Sequence, residues 1–361
     1  MKFSSIYESL EDTSIDNYRD FFLQLENQYQ GLKQYDYKID NEQCNNVDYN
    51  ELDKSVLHDR FAINYKDYKF DCLMTPPLNN SISKSIFVIF SGYRDPNNDI
   101  PPIFKRWSYY KFIDSYVLNI SDPMFYKYKD LPLGWYYGTR TDSCLEYLSD
   151  IVKRIQKILE IDDNRVIFFG SSGGGYVSLM MSLYFKNSLH IAINPQIQIN
   201  KFHGKGAFEK ITGINLDEKD FFQRNETIDI INQKCQNRLN KFFILQNIQD
   251  QHDCTYHLFP LLKAMNITKL HLGLNKITNS FLCWIYSCQG GHNAQGDQFI
   301  FSLILNLAQK MLDEETITDN DNFLYKIISC IWHQIEWLKN NHIKQNNEII
   351  RLQQSLSEKQ N

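Results

Sequence analysis

The sequence has no cysteine spacing that would serve a metal site, although it contains eight cysteines. They are scattered along the chain, without a Cys-x-x-Cys pair and without the combined cysteine and histidine spacings of a zinc site. We therefore expect reduced thiols, no metal ion, and a protein that stays in the cytoplasm.

Long apolar runs and an excess of positive charge are also missing. Residues 1–15 contain no apolar stretch of signal-peptide length, and no later segment approaches the roughly 20 apolar residues of a membrane span. The formal net charge is −5, so the surface has no broad attraction for phosphate backbones. These absences predict a protein with no transmembrane segment and no nucleic-acid partner.

By composition the chain divides into three segments. Residues 1–55 are polar and predict an N-terminal appendage with helical stretches, whereas residues 56–315 carry the strands of an α/β domain. Residues 316–361 predict a C-terminal helix whose apolar heptad pattern is interrupted. We expect this helix to dock on the domain. The alternatives are a homo-oligomer formed through the helix and peripheral contact with the inner membrane.

Short apolar runs in the middle segment predict a mainly parallel, doubly wound sheet with helices on both faces. The sheet would start with an antiparallel hairpin, FAINY and FDCLM, that turns at Lys66-Asp67. Ser143 and Glu146 have capping-box spacing and predict the start of a helix, while residues 201–240 predict a helical lid insertion. The later strands are predicted at SIFVIF, SYVLNI, VIFF, HIAIN, FFILQN and FLCWIYS.

The segment RVIFFGSSGGGYVSLMMSLYF runs from a strand through a glycine-rich turn into a helix. Ser172 lies in the turn, with Gly170 two residues before it and Gly174 two residues after it. Small residues at these positions let strand and helix approach closely around a nucleophilic serine. Ser171 fits less well, because Phe169 would then occupy the first small position. No lysine follows the turn, as a Walker loop would require, so we predict that Ser172 is a nucleophile.

A nucleophilic serine needs a histidine to accept its proton and a carboxylate to fix the tautomer of that histidine. In the fold that carries such turns, the acid and then the histidine follow the serine along the chain. His292 lies in a glycine-rich loop after the last predicted strand, and Asp250 closely follows FFILQN. Asp253 is the alternative acid, and His252 is a candidate for a supporting or substrate contact.

Backbone N–H groups of Gly173 and Tyr93 are predicted to bind the oxyanion. Gly173 begins the helix after the turn, and Tyr93 lies in the loop after SIFVIF. Arg94 in the same loop is a candidate for binding an anionic substrate group, with a surface salt bridge as the alternative. In Trp135-Tyr136-Tyr137 the rings of Trp135 and Tyr137 are candidates for stacking on a sugar, with core packing as the alternative.

With these motifs, residues 60–315 resemble the α/β-hydrolase superfamily. Within it, the chain resembles bacterial O-acetyltransferases of capsular polysaccharide and surface-glycan biosynthesis. The resemblance rests on FSGYRDP, NISDPMFYKYKDLPLGWYYGT, GSSGGGY followed by INPQ, and QNIQDQHDCTYHLFP. It implies that Ser172, Asp250 and His292 form a catalytic triad that transfers an acetyl group to a glycan hydroxyl.

The same resemblance implies acetyl-CoA as the acyl donor, a glycan acceptor, and no tightly bound cofactor. Lys201 and Lys205 in the predicted lid are candidates to meet a coenzyme phosphate, with solvated surface lysines as the alternative. Two other functions are compatible with the same chain. An esterase or deacetylase would pass the acyl group to water, and a non-catalytic scaffold in glycan assembly would use only the fold.

Overall fold

The computed structural model describes residues 44–77, 85–202, 205–213, 227–237, 239–288, 291–293 and 298–319, together with residues 321–322, 325–326 and 328–329. Most of the predicted appendage and residues 330–361 of the predicted C-terminal helix lie outside the described residues. Self-association through that helix therefore stays a prediction. In the described part of the chain, no helix combines the length and apolar character needed to cross a bilayer.

One ten-stranded sheet organises the described residues. Its strands are β1 (Asn45–Asp48), β2 (Asp59–Tyr65), β3 (Tyr68–Thr75), β4 (Ile86–Phe90), β5 (Tyr116–Ile120), β6 (Val166–Ser171), β7 (Leu189–Ile193), β8 (Lys241–Asn247), β9 (Gly273–Thr278) and β10 (Phe281–Tyr286). Their order across the sheet is β1-β2-β3-β5-β4-β6-β7-β8-β10-β9. Only β3 and β9 among them run against the others, so the sheet is mostly parallel.

The hairpin and the six later strands predicted from the sequence are all present. Tyr65 pairs with Tyr68 across the hairpin, and Lys66 at its turn has a φ of 54°. Two strands were not predicted, β1 and β9. Because β1 pairs with β2, the boundary drawn at residue 55 is wrong: the sheet begins within the segment that was interpreted as an appendage.

Helices cover both faces of the sheet. They are α1 (Met124–Lys127), α2 (Cys144–Ile158), α3 (Gly173–Met180), α4 (Lys205–Thr212), α5 (Thr227–Gln236), α6 (Gln251–Asp253), α7 (Phe259–Ala264) and α8 (Gln298–Leu312). Alternate residues of β4 face opposite sides, since Val88 packs in one core cluster with Leu148 of α2, whereas Phe87 packs in another with Phe301 of α8. This alternation is what a doubly wound sheet requires.

Helix α2 forms as predicted, but its predicted cap does not. Leu148, Ile151 and Ile155 are buried on one face of the helix, which accounts for its position against the sheet. Ser143 occupies the N-cap position, yet its side chain makes no capping hydrogen bond. Packing of the apolar face, rather than the predicted capping box, therefore holds this helix in place.

The predicted lid is corrected by the two helices described within it, α4 and α5. Ile231 and Cys235 of α5 are buried in a core cluster with Phe242 of β8. Neighbouring parallel strands need a crossover connection, usually a helix, and α5 lies in the connection between β7 and β8. Phe208 of α4 is likewise buried in a core cluster. The described parts of residues 201–240 thus pack onto the domain.

One edge of the sheet collects the predicted site residues. Parallel strands end at the same edge, which we call the carboxyl edge, and the segments that follow β4, β6, β7, β8 and β10 all start there. At the far end of the domain sequence, Trp284 of β10 donates a 2.6 Å hydrogen bond to the Ser329 hydroxyl and packs edge-on against Tyr325. The chain just beyond residue 316 therefore contacts the sheet.

Candidate active site

Ser172 lies in the turn between β6 and α3, in a strained backbone conformation. Its φ is 54° and its ψ is −122°, values that a residue with a side chain rarely adopts. The Ser172 N–H donates to the carbonyl of Ile193 at 3.0 Å, and the Ser172 carbonyl accepts from the N–H of Tyr176 at 3.1 Å. Bonds from both sides of the turn hold this strained position.

Two glycines are essential for this turn. A Cβ atom on Gly170 would overlap the carbonyl of Gly174, and one on Gly174 would lie 2.6 Å from the carbonyl oxygen of Phe90. Real Cβ atoms do not come this close to backbone atoms, so strand β6, helix α3 and strand β4 meet only because both side chains are absent. The spacing that singled out Ser172 in the sequence is therefore a packing requirement.

The two backbone groups predicted to bind the oxyanion lie on neighbouring loops. Gly173 is the first residue of α3, where a helix has N–H groups without an intrahelical acceptor. The loop after β4 passes beside it, because a Cβ on Gly92 would lie 3.8 Å from the Gly173 nitrogen. Tyr93 follows Gly92 directly. The role of Gly173 and Tyr93 stays a prediction, supported by this proximity.

His292 lies against two carboxylates. Its Nδ1 is 2.8 Å from Oδ2 of Asp250 and 2.9 Å from Oδ2 of Asp253. Of these two contacts, the one with Asp250 has the geometry of a hydrogen bond, and Oδ2 of Asp253 has no hydrogen-bond partner among the described residues. The Nδ1–H group therefore points at Asp250, which fixes the tautomer whose Nε2 lone pair can accept a proton.

The two carboxylates change the proton affinity of His292. Burial opposes the charged ring, but the nearby carboxylates of Asp250 and Asp253 outweigh it and raise the pKa of His292 to about 9. For Asp250, burial acts to raise the pKa, and the hydrogen bonds from His292 and from the Asp253 N–H outweigh it, so the pKa is lowered. A carboxylate and an imidazolium thus stabilise each other in the resting site.

Two further histidines lie near Asp253. Its Oδ1 lies 3.2 Å from Nδ1 of His252 and 3.6 Å from Nε2 of His257. The Gln198 N–H donates to Nδ1 of His257 at 3.1 Å, and burial lowers the pKa of His257 to about 4. A neutral ring that accepts at Nδ1 carries its proton at Nε2, so His257 presents an N–H to Asp253.

Two sets of described side chains have the spacing of metal ligands. They are His252 with Asp253 and His257, and Asp250 with Asp253 and His292. A ligating histidine must offer a lone pair, whereas the acceptor role of Nδ1 in His257 leaves a proton on Nε2. In the second set, Nδ1 of His292 already donates to Asp250. With these protons in place, neither Nε2 of His257 nor Nδ1 of His292 offers a lone pair to a metal ion.

The Ser172 hydroxyl is hydrogen-bonded to Gln196 rather than to His292 in the described part of the chain. The side-chain amide of Gln196 donates to Ser172 Oγ at 3.1 Å. The loops are nevertheless joined, because the side chain of Asn194, just after β7, donates to the His292 carbonyl at 3.4 Å. The structure thus brings His292 together with both aspartates and places Ser172 on the same edge of the sheet. Among the described residues, Ser172 Oγ is hydrogen-bonded to Gln196 and not to His292.

The prediction that Arg94 binds substrate is corrected. Its side chain is buried, and its guanidinium donates at 2.9 Å to the backbone carbonyls of Leu131 and Asp99, and also to that of Lys129. A guanidinium that holds three backbone carbonyls has its donors occupied inside the protein. Arg94 therefore fastens the loop after β4 to the segment around residue 130.

The predicted sugar-stacking wall is also corrected. Trp135 and Tyr137 are each 1% exposed, and both rings pack edge-on against Phe208 of α4. Both rings therefore belong to the core. Their faces are buried, so a sugar in solvent could not stack on them. Of the two lysines proposed for a coenzyme phosphate, Lys201 is exposed, and the Lys205 side chain lies outside the described residues.

Two residues near Ser172 were not predicted from the sequence. Gln196 contacts the nucleophile, and Nη1 of Arg106 donates to the hydroxyl of Ser171 at 2.8 Å. Burial lowers the pKa of Arg106. A signal for Gln196 exists in the sequence, because it is a polar residue just past β7, the buried strand that pairs with β6. Arg106 lies in an irregular segment and had no such signal.

Two of the solved structures to which the chain is similar are enzymes. The chain is similar to the capsule O-acetyltransferase of Neisseria meningitidis serogroup A, with 17% identity over 69% of this chain and 96% of that chain and a TM-score of 0.48. A histidine-to-alanine mutant of that enzyme has been solved in complex with CoA. The chain is also similar to S-formylglutathione hydrolase from Staphylococcus aureus, with 12% identity, coverage of 70% and 98%, and a TM-score of 0.45. No family model and no curated protein matches the chain.

The candidate site residues follow the strands of the sheet in a definite order. A serine turn follows a central parallel strand, aspartates follow the next strand but one, and a histidine follows the last parallel strand. This succession is that of the α/β-hydrolase fold. The chain resembles the α/β-hydrolase superfamily, as its motifs predicted.

Proposed function

We propose that the protein is a serine-dependent O-acyltransferase that acetylates a capsular or surface polysaccharide from acetyl-CoA in the cytoplasm. One observation carries the acyl-transfer part: the strained Ser172 turn shares the carboxyl edge with His292, whose Nδ1 lies 2.8 Å from Asp250. The choice of acetyl group and glycan follows the motif resemblance, including GSSGGGY and INPQ.

The reaction would proceed in two halves. His292 accepts the Ser172 proton at Nε2 while Oγ attacks the acyl carbon, and the thiolate of the donor leaves with that proton. The N–H groups of Gly173 and Tyr93 would bind the oxyanion formed on the way. In the second half His292 deprotonates a glycan hydroxyl, which attacks the acyl-serine and restores the free serine. Asp250 stabilises the imidazolium at both stages.

Acetyl transfer is tested by following both products. The purified protein is incubated with acetyl-CoA, with and without a candidate acceptor glycan, and free acetate and acetylated sugar are measured by mass spectrometry. We expect acetylated sugar from the wild type and none from Ser172→Ala. Acetate released without any acetylated sugar, whichever acceptor is supplied, would identify a hydrolase instead. The absence of both products with every donor would favour a non-catalytic scaffold.

A further inference from the structure

The amide side chain of Gln196 is buried against the nucleophile. It is 1% exposed, it donates to Ser172 Oγ at 3.1 Å, and its backbone N–H also donates to the Ser172 carbonyl at 3.2 Å. Ser172 itself is 8% exposed, so this contact lies in surroundings that hold little water. A hydrogen bond in such surroundings is electrostatically stronger than the same bond at the surface.

Trp135 fixes which end of the Gln196 amide faces the serine. The indole Nε1 of Trp135 donates to Oε1 of Gln196 at 2.6 Å. An indole N–H can only donate, so it must face the amide oxygen, and the NH₂ group then has to point at Ser172. The orientation of the amide therefore follows from the chemistry of its neighbour rather than from a choice between oxygen and nitrogen.

The position of Trp135 is itself enforced by the surrounding backbone. Its φ is 51° and that of Tyr136 is 50°, two successive residues in the left-handed region. The buried carboxylate of Asp122 accepts a 3.0 Å hydrogen bond from the Tyr136 N–H, and the Trp135 ring packs edge-on against Phe202. Backbone strain of this kind persists where the surrounding contacts hold it in place.

A donor aimed at Oγ affects the reaction in a specific way. Because Gln196 donates to a lone pair of Oγ, the hydroxyl proton remains available for His292. As that proton leaves and negative charge develops on Oγ, the N–H···O contact becomes charge-assisted and therefore stronger. When the acyl-serine breaks down, Oγ leaves with the same developing charge, and the same donor stabilises it. Gln196 would thus favour both transition states over the ground state.

We propose that Gln196 is a further catalytic residue whose side-chain N–H stabilises negative charge on Ser172 Oγ, and that Trp135 is the positioning residue that aims it. The inference rests on the proposed function, because it requires Ser172 to be the nucleophile. It adds to the predicted N–H groups of Gly173 and Tyr93 a donor for the serine oxygen itself, separate from the substrate oxyanion.

The test is the rate at which a fluorophosphonate labels Ser172, since this reaction needs the nucleophile but no knowledge of the natural donor. Gln196→Leu keeps the approximate volume and removes the donor, and we expect about a ten- to a hundredfold slower labelling. Gln196→Glu keeps the acceptor for Trp135 but places a carboxylate at Oγ. It should be slower still, and its pH–rate midpoint should rise because the added negative charge favours protonated His292.

A structural role for Gln196 predicts the opposite order, because glutamate preserves the shape and the Trp135 contact whereas leucine loses both polar contacts. Trp135→Phe keeps an aromatic ring but removes the N–H, so it should slow labelling by less than Gln196→Leu does. Gln156→Leu is the matched control: Gln156 is a buried glutamine with two hydrogen bonds, at the end of α2 that precedes β6. It should lower the melting temperature and leave the labelling rate of folded protein unchanged.

The outcomes separate the two proposals. If the wild type is not labelled, or if Ser172→Ala is labelled equally well, the proposed function fails and this inference falls with it. If labelling depends on Ser172 but Gln196→Leu reacts at the wild-type rate, or if Gln196→Glu reacts faster than Gln196→Leu, only the role of Gln196 is overturned. Circular dichroism melts of every variant keep loss of folding apart from loss of reactivity.

Discussion

The nucleophile side and the base side of the candidate site are built differently. Ser172 is held between β6 and α3, where Gly170 and Gly174 leave space for no side chain. His292, by contrast, lies in the short 3₁₀ turn Gly291–Asn293, its side chain is 36% exposed, and two carboxylates lie within 2.9 Å of its Nδ1. The turn that holds Ser172 allows a single backbone arrangement. The proton on Nδ1 of His292, in contrast, has two carboxylates nearby.

This difference predicts two kinds of response to substitution. Changes on the nucleophile side should be severe, because no neighbouring group can replace Ser172 and a Cβ at Gly170 would overlap the Gly174 carbonyl. Changes on the base side should be graded, because Asp253 remains beside His292 when Asp250 is altered. Four predictions test this contrast, in order of decreasing expected effect.

Ser172→Ala should abolish acyl transfer, with a loss on the order of 10⁶-fold if catalysis depends on the serine and histidine acting as a unit. The matched control is Ser171→Ala, which removes the adjacent hydroxyl and its 2.8 Å bond from Arg106 and should retain most activity. Steady-state rates of product formation measure both variants. Equal losses of activity in the two variants would contradict the assignment of Ser172, rather than Ser171, as the nucleophile.

Asp250→Asn should lower kcat by less than the roughly 10⁴-fold loss of a triad with a single acid, because the asparagine no longer accepts the Nδ1–H of His292 but the Asp253 carboxylate remains 2.9 Å from Nδ1. Asp253→Asn should cost much less, about tenfold or below, since the Nδ1–H of His292 points at Asp250. Rates of acyl transfer or of serine labelling compare the pair. The reverse order would make Asp253 the triad acid, and equal small losses would show that either carboxylate suffices.

Gly170→Ala should destabilise the fold by about 3 kcal/mol or more, because the added Cβ overlaps the Gly174 carbonyl. Gly206→Ala in α4 is its control: among the described residues, no atom outside the neighbouring helix backbone lies within 4 Å of the added Cβ, and alanine favours a helix. Thermal melts should show a clear fall for the first and no fall for the second. A melting temperature that is unchanged by Gly170→Ala would contradict the close approach of β6 and α3.

The pH dependence of the acylation rate should be the smallest of the four effects. His292 must be neutral to accept the serine proton, and Asp250 and Asp253 raise its pKa to about 9. The acylation rate should therefore rise with pH through the neutral range, reach its midpoint near pH 9 and level off above it. Asp253→Asn removes one negative charge, so the midpoint should move to lower pH. A midpoint that stays in place would show that Asp253 does not act electrostatically on His292.

Much of the fold was readable from the sequence because the central strands are apolar on both faces. The runs at β4, β6 and β7 are buried along their whole length, so their composition alone marks them. β1 and β9 were missed because they lie at the two ends of the sheet, where a strand such as NNVD keeps polar residues exposed. A polar edge strand has the composition of a loop.

The sequence predicted those site residues whose positions depend on the spacing of neighbouring residues within one turn. Ser172 followed from glycines two residues away on either side, a relation contained within one turn. Asp250 and Asp253 could not be separated, because both lie in one loop and the direction of a single N–H group distinguishes them. Gln196 was missed because it reaches Ser172 through the pairing of β7 with β6, which joins Ser171 to Ile193. Arg94, Trp135 and Tyr137 were misassigned because exposure cannot be read from residue type.

The central claim is that Ser172 is the nucleophile, and the most direct test is to map where a fluorophosphonate attaches. The native protein is labelled, digested and analysed by mass spectrometry, beside Ser172→Ala and a heat-denatured sample. We predict a single adduct on the peptide that contains Ser172, lost in Ser172→Ala and after denaturation. An adduct on another residue, or equal labelling of Ser172→Ala, would contradict the account.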